Sequence, residues 1–201
     1  MPDALHITPI ENLAQIVERG GLWCDNHLRR VPRAEVISVT AREIKDKRAN
    51  RHIPELPGRT IGDYVPFHLT WRTRAHWQMR QSGRTLVILV IDTTNFFEWD
   101  CLYTDRHPLA DGVQWWHSLR SLPRVVDLDL ITSESPMDHP QERRVFWDAE
   151  VLIPTTVRLK QFTAFAVRSK NDRKTVIRTL RGSVPRPRRC VVVRPEWFDP
   201  S

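Results

Sequence analysis

A chain of 201 residues and 23.6 kDa has room for one domain with a sizeable core, spanning 1–201, and not for a second full one. At 40% hydrophobic and 27% charged residues it falls among ordinary soluble globular chains. No run approaches the ~20 apolar residues of a membrane helix, so no membrane is expected. The formal net charge of +7 points instead to an acidic partner, nucleic acid first.

The chain begins MPDALHITPIENL, with no basic start and no apolar stretch, so a secretory leader is not expected. Ala4 to Ile7 reads as a short strand. A helix is predicted after it, with Thr8 as N-cap, Pro9 at the first helical position and Glu11 closing a T-x-x-E box. Ile10, Leu13, Ile16 and Val17 would be its apolar face, and Gly20 and Gly21 its end. Residues 34–39 look like a short strand. Ala41 to about Asn50 is helix-compatible and is stopped by Pro54 and Pro57. Thr85 to Ile91, TLVILVI, is the strongest strand, apolar on both faces and therefore central.

Asp111 to Leu122 is compatible with a helix, and 132–141, TSESPMDHPQ, has the composition of a loop. Glu150 to Ile153 and Phe162 to Val167 read as strands, Lys170 to Leu180 as a basic helix, and Cys190 to Val193 as a last strand. Short strands between irregular, proline-bearing loops predict an α+β domain.

Charge is unevenly spread. Residues 168–194 hold ten Lys or Arg against Asp172 alone, so the remainder of the chain is slightly acidic. A second basic stretch, 29–51, has eight basic residues against Glu35, Glu43 and Asp46. Eight tryptophans are unusual at this length. Most are expected in the core, with Trp71, Trp115 and Trp116 as candidate faces for base stacking. Cys24, Cys101 and Cys190 are far apart and odd in number. No metal site is expected from them, and a reducing cytoplasm is the expected location. There is no G-x-G-x-x-G, no phosphate-binding P-loop and no H-E-x-x-H.

What remains are polar residues at strand ends. His6 precedes the expected cap at Thr8. Glu150 enters an apolar strand, where a carboxylate costs several kcal/mol unless it is paired or serves a site. It also reads as an outward-facing edge residue. Arg48 and Arg51 read as solvated helix residues or as ligands of an anion.

At this point the chain resembles the DarT family of DNA ADP-ribosyltransferase toxins. The pieces are HITPIENL at 6–13, GGL at 20–22, EIKDKRANRHIP at 43–54, DYVPF at 63–67, TDRH at 104–107 and AEVLI at 149–153, in the family's order. The resemblance implies an ADP-ribosyltransferase-like split β-sheet with flanking helices, with NAD as co-substrate in a cleft and no metal. It implies transfer of ADP-ribose to a base of single-stranded DNA, thymine being the expected one.

By motif, Glu150 would be the catalytic glutamate and Arg48 the arginine beside it. His6, Ile7, Thr8 and Asn12 would contact NAD. Gln15 and Trp23 fall at positions used for NAD, with residue types unlike the family's. His107 would open the segment that presents DNA and ends at Glu150, and Arg51 is assigned to the DNA as well. Asp148 stands where the family pattern has glutamine, which bears on the modified base more than on the chemistry. The resemblance also implies a macrodomain antitoxin, DarG, that removes the mark.

The chemistry agrees with one carboxylate. Breaking the nicotinamide bond builds positive charge on a ribose, which a fixed carboxylate stabilises. Two other readings stay open: the same fold acting on RNA or protein, and a non-catalytic binder of single strands.

Overall fold

The structure is a computed structural model and describes residues 3–31, 36–38, 42–54, 56–93, 100–124 and 126–199. Its first elements are β1 (Ala4–Pro9), α1 (Leu13–Glu18), β2 (Gly21–Trp23), α2 (Asp25–Arg29), α3 (Arg42–Asn50), β3 (Tyr64–His68), α4 (Arg74–Gln81) and β4 (Leu86–Ile91). Then come β5 (Leu102–Thr104), β6 (Trp115–Trp116), α5 (Leu128–Ser133), α6 (Gln141–Arg144), β7 (Glu150–Pro154) and β8 (Thr156–Arg158). The last are β9 (Ala164–Val167), α7 (Lys170–Leu180), α8 (Pro187–Cys190) and β10 (Val191–Val193).

Eight strands form one mixed sheet in the order β10-β9-β4-β1-β3-β7-β5-β6, and β2 pairs with β8 beside it. β4 is buried throughout, and its period-2 alternation feeds two cores. Val87, Leu89 and Ile91 join the larger cluster, where Val176 and Leu180 of α7 also lie. Leu86, Ile88 and Val90 join a smaller one with Leu5, Ile7 and Phe198.

The sheet is weakest between β1 and β3. β1 pairs with β4 at six positions and β3 with β7 at five, but β1 and β3 share only Leu5↔His68. Pro66 accounts for this. A strand residue's N–H and C=O point to the same side, and the Pro66 carbonyl lies 2.8 Å from His6 Nδ1 of β1. The donor that proline lacks is therefore the one that would have faced β1. Beyond Leu5 the two strands part, and a cleft opens along the split.

Several expectations need correction. The Thr8–Glu11 capping box does not form. β1 continues through Pro9, held by the Thr8↔Val87 and Pro9↔Leu86 pairings, and a short 3-10 turn at Ile10–Asn12 leads into α1. Sheet pairing outcompetes the local cap, and the Thr8 hydroxyl accepts from the Asn12 side chain instead, at 2.9 Å. The helix does end at Gly20, whose φ of +72° suits glycine. Gly21 follows because a side chain there would start 2.3 Å from the Val157 carbonyl oxygen.

The strand expected at 34–39 falls partly outside the described residues, and 36–38 carry no regular structure. The helix expected at Asp111–Leu122 is absent. Trp115 and Trp116 pair with β5, and a 3-10 turn occupies Leu119–Arg124. The loop expected at 132–141 includes the end of α5, a 3-10 turn at Pro136–Asp138 and the start of α6. Ser135, one of the residues that suggested a loop, caps the 3-10 turn by accepting from Met137 N, and Asp127, before the stretch, caps α5 by accepting from Leu130 N. Among the described residues no helix is long and apolar enough to cross a membrane.

Candidate active site

The cleft has a volume of about 550 Å³, within the usual range for small-molecule sites. β1 supplies His6, Ile7, Thr8 and Pro9. β3 supplies Val65, Pro66 and His68, and Glu150 opens β7 on the same side. Five Lys or Arg line it (Arg19, Lys45, Arg48, Arg74, Arg106) against three carboxylates (Asp25, Asp148, Glu150). That excess of cation suits an anionic ligand.

Glu150 is 2% exposed and sits opposite His68 in the β3–β7 register. Its backbone N–H donates to Thr104 Oγ1 at 3.2 Å, which ties the head of β7 to the end of β5. Arg48 reaches it from the last turn of α3: Nη1 lies 3.1 Å from Oε2 and 3.4 Å from Oε1. Arg48 is itself buried, and its Nη2 has no hydrogen-bond partner among the described residues. Burial alone would raise the Glu150 pKa, but the facing positive charge of Arg48, with smaller help from His107 and His68, holds it below the usual carboxylate range. Glu150 is therefore an ionised carboxylate at neutral pH. A buried pair of this kind costs much desolvation, and its position on a cleft wall marks a candidate functional site.

Two histidines, His107 and His68, border the pair, and a third, His6, lines the same cleft. His107 Nε2 lies 3.8 Å from Glu150 Oε1, and its Nδ1 accepts from Leu109 N at 3.2 Å. His68 is buried, its Nδ1 is without a hydrogen-bond partner, and burial lowers its pKa. Burial lowers that of His6 to about 4. His6 and His68 are thus neutral at pH 7. Asp148 accepts from Arg74 N at 2.9 Å, and its pKa is raised, first by burial.

Asn12 has an unexpected role. Its side-chain N donates to the Ile37 carbonyl at 2.8 Å, and its side-chain O accepts from Ile37 N at 2.9 Å. Both ends of the amide grip the backbone of one residue and hold 36–38 against the cleft, where Val36, Ile37 and Ser38 all line it. Gln15 Oε1 accepts from Arg19 Nη2 at 2.7 Å, and the Trp23 ring lies 4.3 Å from that of His27.

The cleft thus gathers His6, Ile7, Thr8, Asn12, Gln15, Trp23, Arg48, His107 and Glu150 from across the sequence. Arg51 is different. It follows α3, is exposed and does not line the cleft. Sequence reasoning missed His68, Lys45, Arg74 and Arg106 in the lining. Of these Arg106 and Lys45 carried a signal, their places inside TDRH and EIKDKRANRHIP.

A family model described as "ssDNA thymidine ADP-ribosyltransferase, DarT" matches residues 5–199. A DNA ADP-ribosyl transferase of Thermus sp. (strain 2.9) is 26% identical over 204 aligned residues, covering 96% of this chain and 94% of the relative. Among solved structures, Thermus sp. 2.9 DarT in complex with ADP-ribosylated ssDNA is similar with a TM-score of 0.85 at 24% identity, covering 98% of this chain and 96% of that one. The same protein in complex with NAD+ gives 0.81 at 23% identity, covering 98% and 97%. Thermosipho africanus DarTG in complex with ADP-ribose gives 0.73 at 18% identity, covering 98% of this chain and 51% of that one. The structural likenesses establish the fold, and the family model spans nearly every residue of it: the chain belongs to the DarT family of single-stranded DNA thymidine ADP-ribosyltransferases.

Proposed function

We propose that the cleft along the split is where this DNA ADP-ribosyltransferase binds NAD and a thymidine of single-stranded DNA, with Glu150 as the catalytic carboxylate and Arg48 acting beside it. One observation carries the assignment: the buried Glu150–Arg48 pair faces the cleft and leaves Arg48 Nη2 without a partner among the described residues. The Thermus DarT structures support the two ends of the reaction, since one is a complex with NAD+ and another with ADP-ribosylated ssDNA.

In this reading the bond between the ribose and nicotinamide breaks, and nicotinamide leaves as a neutral molecule. Positive charge develops on the ribose, and the ionised Glu150 carboxylate stabilises it in a site shielded from water. Thymine in a nucleoside has a single ring N–H, so attack through that nitrogen forms the new bond to ribose and gives up the N–H proton, which is released to solvent as H+ while nicotinamide departs. Arg48 Nη2 is placed to meet the negative charge that results. Arg19 and Lys45 supply positive charge for the NAD pyrophosphate, and His6, Ile7 and Thr8 form the wall it lies against. Gln15 and Trp23 border the same space. Asn12 contributes by holding 36–38 rather than with a free amide. His107, beside both Glu150 and Arg106, lies on the DNA side. Arg51 would touch only strand that runs outside the cleft.

The adduct on the template would block replication, which makes the chain a toxin acting in the cytoplasm. A macrodomain antitoxin of the DarG kind would reverse the mark, and the DarTG name of the Thermosipho relative supports that pairing.

The test is purified chain with labelled NAD and separate pools of single-stranded DNA, its annealed duplex, RNA and protein. Label should enter single-stranded DNA that contains thymidine, and enter duplex poorly, because a paired base must first be unstacked at a cost of a few kcal/mol. Equal labelling of duplex, or preference for RNA or protein, overturns the reading.

A further inference from the structure

Two large apolar side chains stand exposed among the described residues, Met137 and Trp77, and Trp77 is 54% exposed. The tryptophans that sequence singled out for stacking are engaged elsewhere. Trp71 is packed against the smaller core and covered by the Arg72 guanidinium, 4.2 Å from its ring centroid. Trp115 and Trp116 are half-buried and packed against core clusters. A single exposed apolar residue is ordinary on a surface, so Trp77 marks a contact only through what surrounds it.

The surroundings of Trp77 say what the contact is. Arg74, Ala75, Gln78 and Met79 of α4 line the cleft, while His76 points inward against Phe198. At about 100° per residue Trp77 therefore lies on the outer side of the helix, neighbouring Arg74 one turn earlier. It lies outside the cleft, on the face of α4 next to Arg74, which does line it. The helix is tied to the candidate active site, because Arg74 N donates to Asp148, two residues before Glu150. Three of the four arginines at 71–84 are engaged: Arg84 pairs with Glu11, and Arg72 and Arg80 donate to the carbonyls of Thr132 and Phe198. Arg74 is the cation left beside Trp77 among the described residues, so the contact suits an aromatic ring joined to an anion, such as a base and its phosphate.

We propose that Trp77 is a stacking platform for an unpaired base of the DNA strand, one that flanks the thymidine in the cleft. This rests on single-stranded DNA being the substrate. Stacking is tolerant of base identity, so Trp77 adds affinity and fixes the path of the strand without reading sequence. Arg74 holds the adjoining phosphate and continues the path into the cleft.

The experiment compares wild type, Trp77→Ala and Trp77→Phe for binding to a fluorescent single-stranded oligonucleotide with one thymidine. A matched set carries one abasic position at each place beside the thymidine. Trp77→Ala should bind the intact strand about 5- to 150-fold more weakly, which converts from the ~1–3 kcal/mol of one stacked base. Trp77→Phe should keep most of the affinity. Wild type should lose a similar factor at one abasic position, and Trp77→Ala should be indifferent to that same position. The KM for NAD and the melting temperature should be unchanged, since Trp77 is exposed and outside the cleft. Equal affinity of Trp77→Ala and wild type, or equal sensitivity of both to every abasic position, overturns the platform while leaving the substrate reading intact. Failure of wild type to bind or label single-stranded DNA overturns both.

Discussion

The wall of the cleft and the C-terminal basic face use charge in opposite ways. At Glu150 one carboxylate and one guanidinium are both buried, 3.1 Å apart and fixed by strand and helix. Around α7, α8 and β10 the basic residues are mostly exposed. Arg173 spends its guanidinium on the carbonyls of Val191 and Arg188, and Arg168 pairs with Asp199 at the surface. β10 is five strands from β7 in the sheet order, on the order of 24 Å away at ~4.8 Å per strand. That exceeds the Debye length of about 10 Å at 0.1 M salt. The two regions are electrostatically independent. The interior pair acts through geometry and low dielectric, and so suits chemistry. The exposed face acts through total charge, and so suits affinity for a phosphate chain.

The comparison is most severely tested at Glu150. Glu150→Gln keeps the shape and removes the charge, and should lower the transfer rate about 10²- to 10³-fold. A variant that labels DNA at near wild-type rate would remove the cleft's claim to the chemistry. Arg48→Ala should abolish transfer too. It should also destabilise the fold by about 3–5 kcal/mol, because it strands a buried carboxylate. Transfer assays and chemical denaturation read the two effects separately.

A titration sharpens the contrast, because arginines on the basic face keep their charge throughout, while two histidines are kept by burial from charging until well below their ordinary range. Burial lowers the pKa of His6 to about 4 and of His76 to about 3. Between those values and the ordinary 6.5, the unfolded chain binds protons that the folded chain refuses. Stability should therefore fall as pH drops from 6.5 toward 4, by on the order of 3 kcal/mol for His6. Glu150 adds to this at lower pH. Its folded pKa is depressed, so its contribution is lost as pH falls through that value. A melting temperature flat from pH 7 to 4 would show that these groups are not buried as described.

A smaller effect is expected at the basic face. Replacing Arg181, Arg188 and Arg189 with Gln should leave turnover at saturating DNA nearly unchanged. The salt dependence of DNA binding should become shallower by up to ~0.7 in log–log slope per lost phosphate contact. An unchanged slope would reduce this face to ordinary solvated surface. The mildest change is Asn12→Ala, which releases Ile37. Three hydrogen bonds are lost, two to Ile37 and one to Thr8, each worth ~1 kcal/mol, and part of that loss should appear as a several-fold rise in the KM for NAD with a smaller change in kcat.

Local physics made part of this molecule legible in one dimension. The unbroken apolar run at 86–91 had to be a central strand, because both its faces need cover. The helix at 170–180 was readable from its composition, and it forms with Ser169 accepting from Asp172 N and the Asp172 carboxylate accepting from Ser169 N. Glu150 stood out because a carboxylate at the head of an apolar strand is costly without a purpose. Thr8 and Pro9 show where this reasoning ends. Their cap signal is sound locally, yet six pairings with β4 outweigh one cap bond.

The sequence by itself determined the periodic elements, the uneven charge and the motif order that carries the family, since each depends on residues near one another in the chain. Only the tertiary structure decided that Arg48 meets Glu150 across 102 positions and that Asn12 grips Ile37. It alone left Trp77 exposed and Trp71 covered, and placed Pro66 where the missing donor parts the sheet. These outcomes depend on which surfaces pack after the strands pair, and no local propensity encodes that choice.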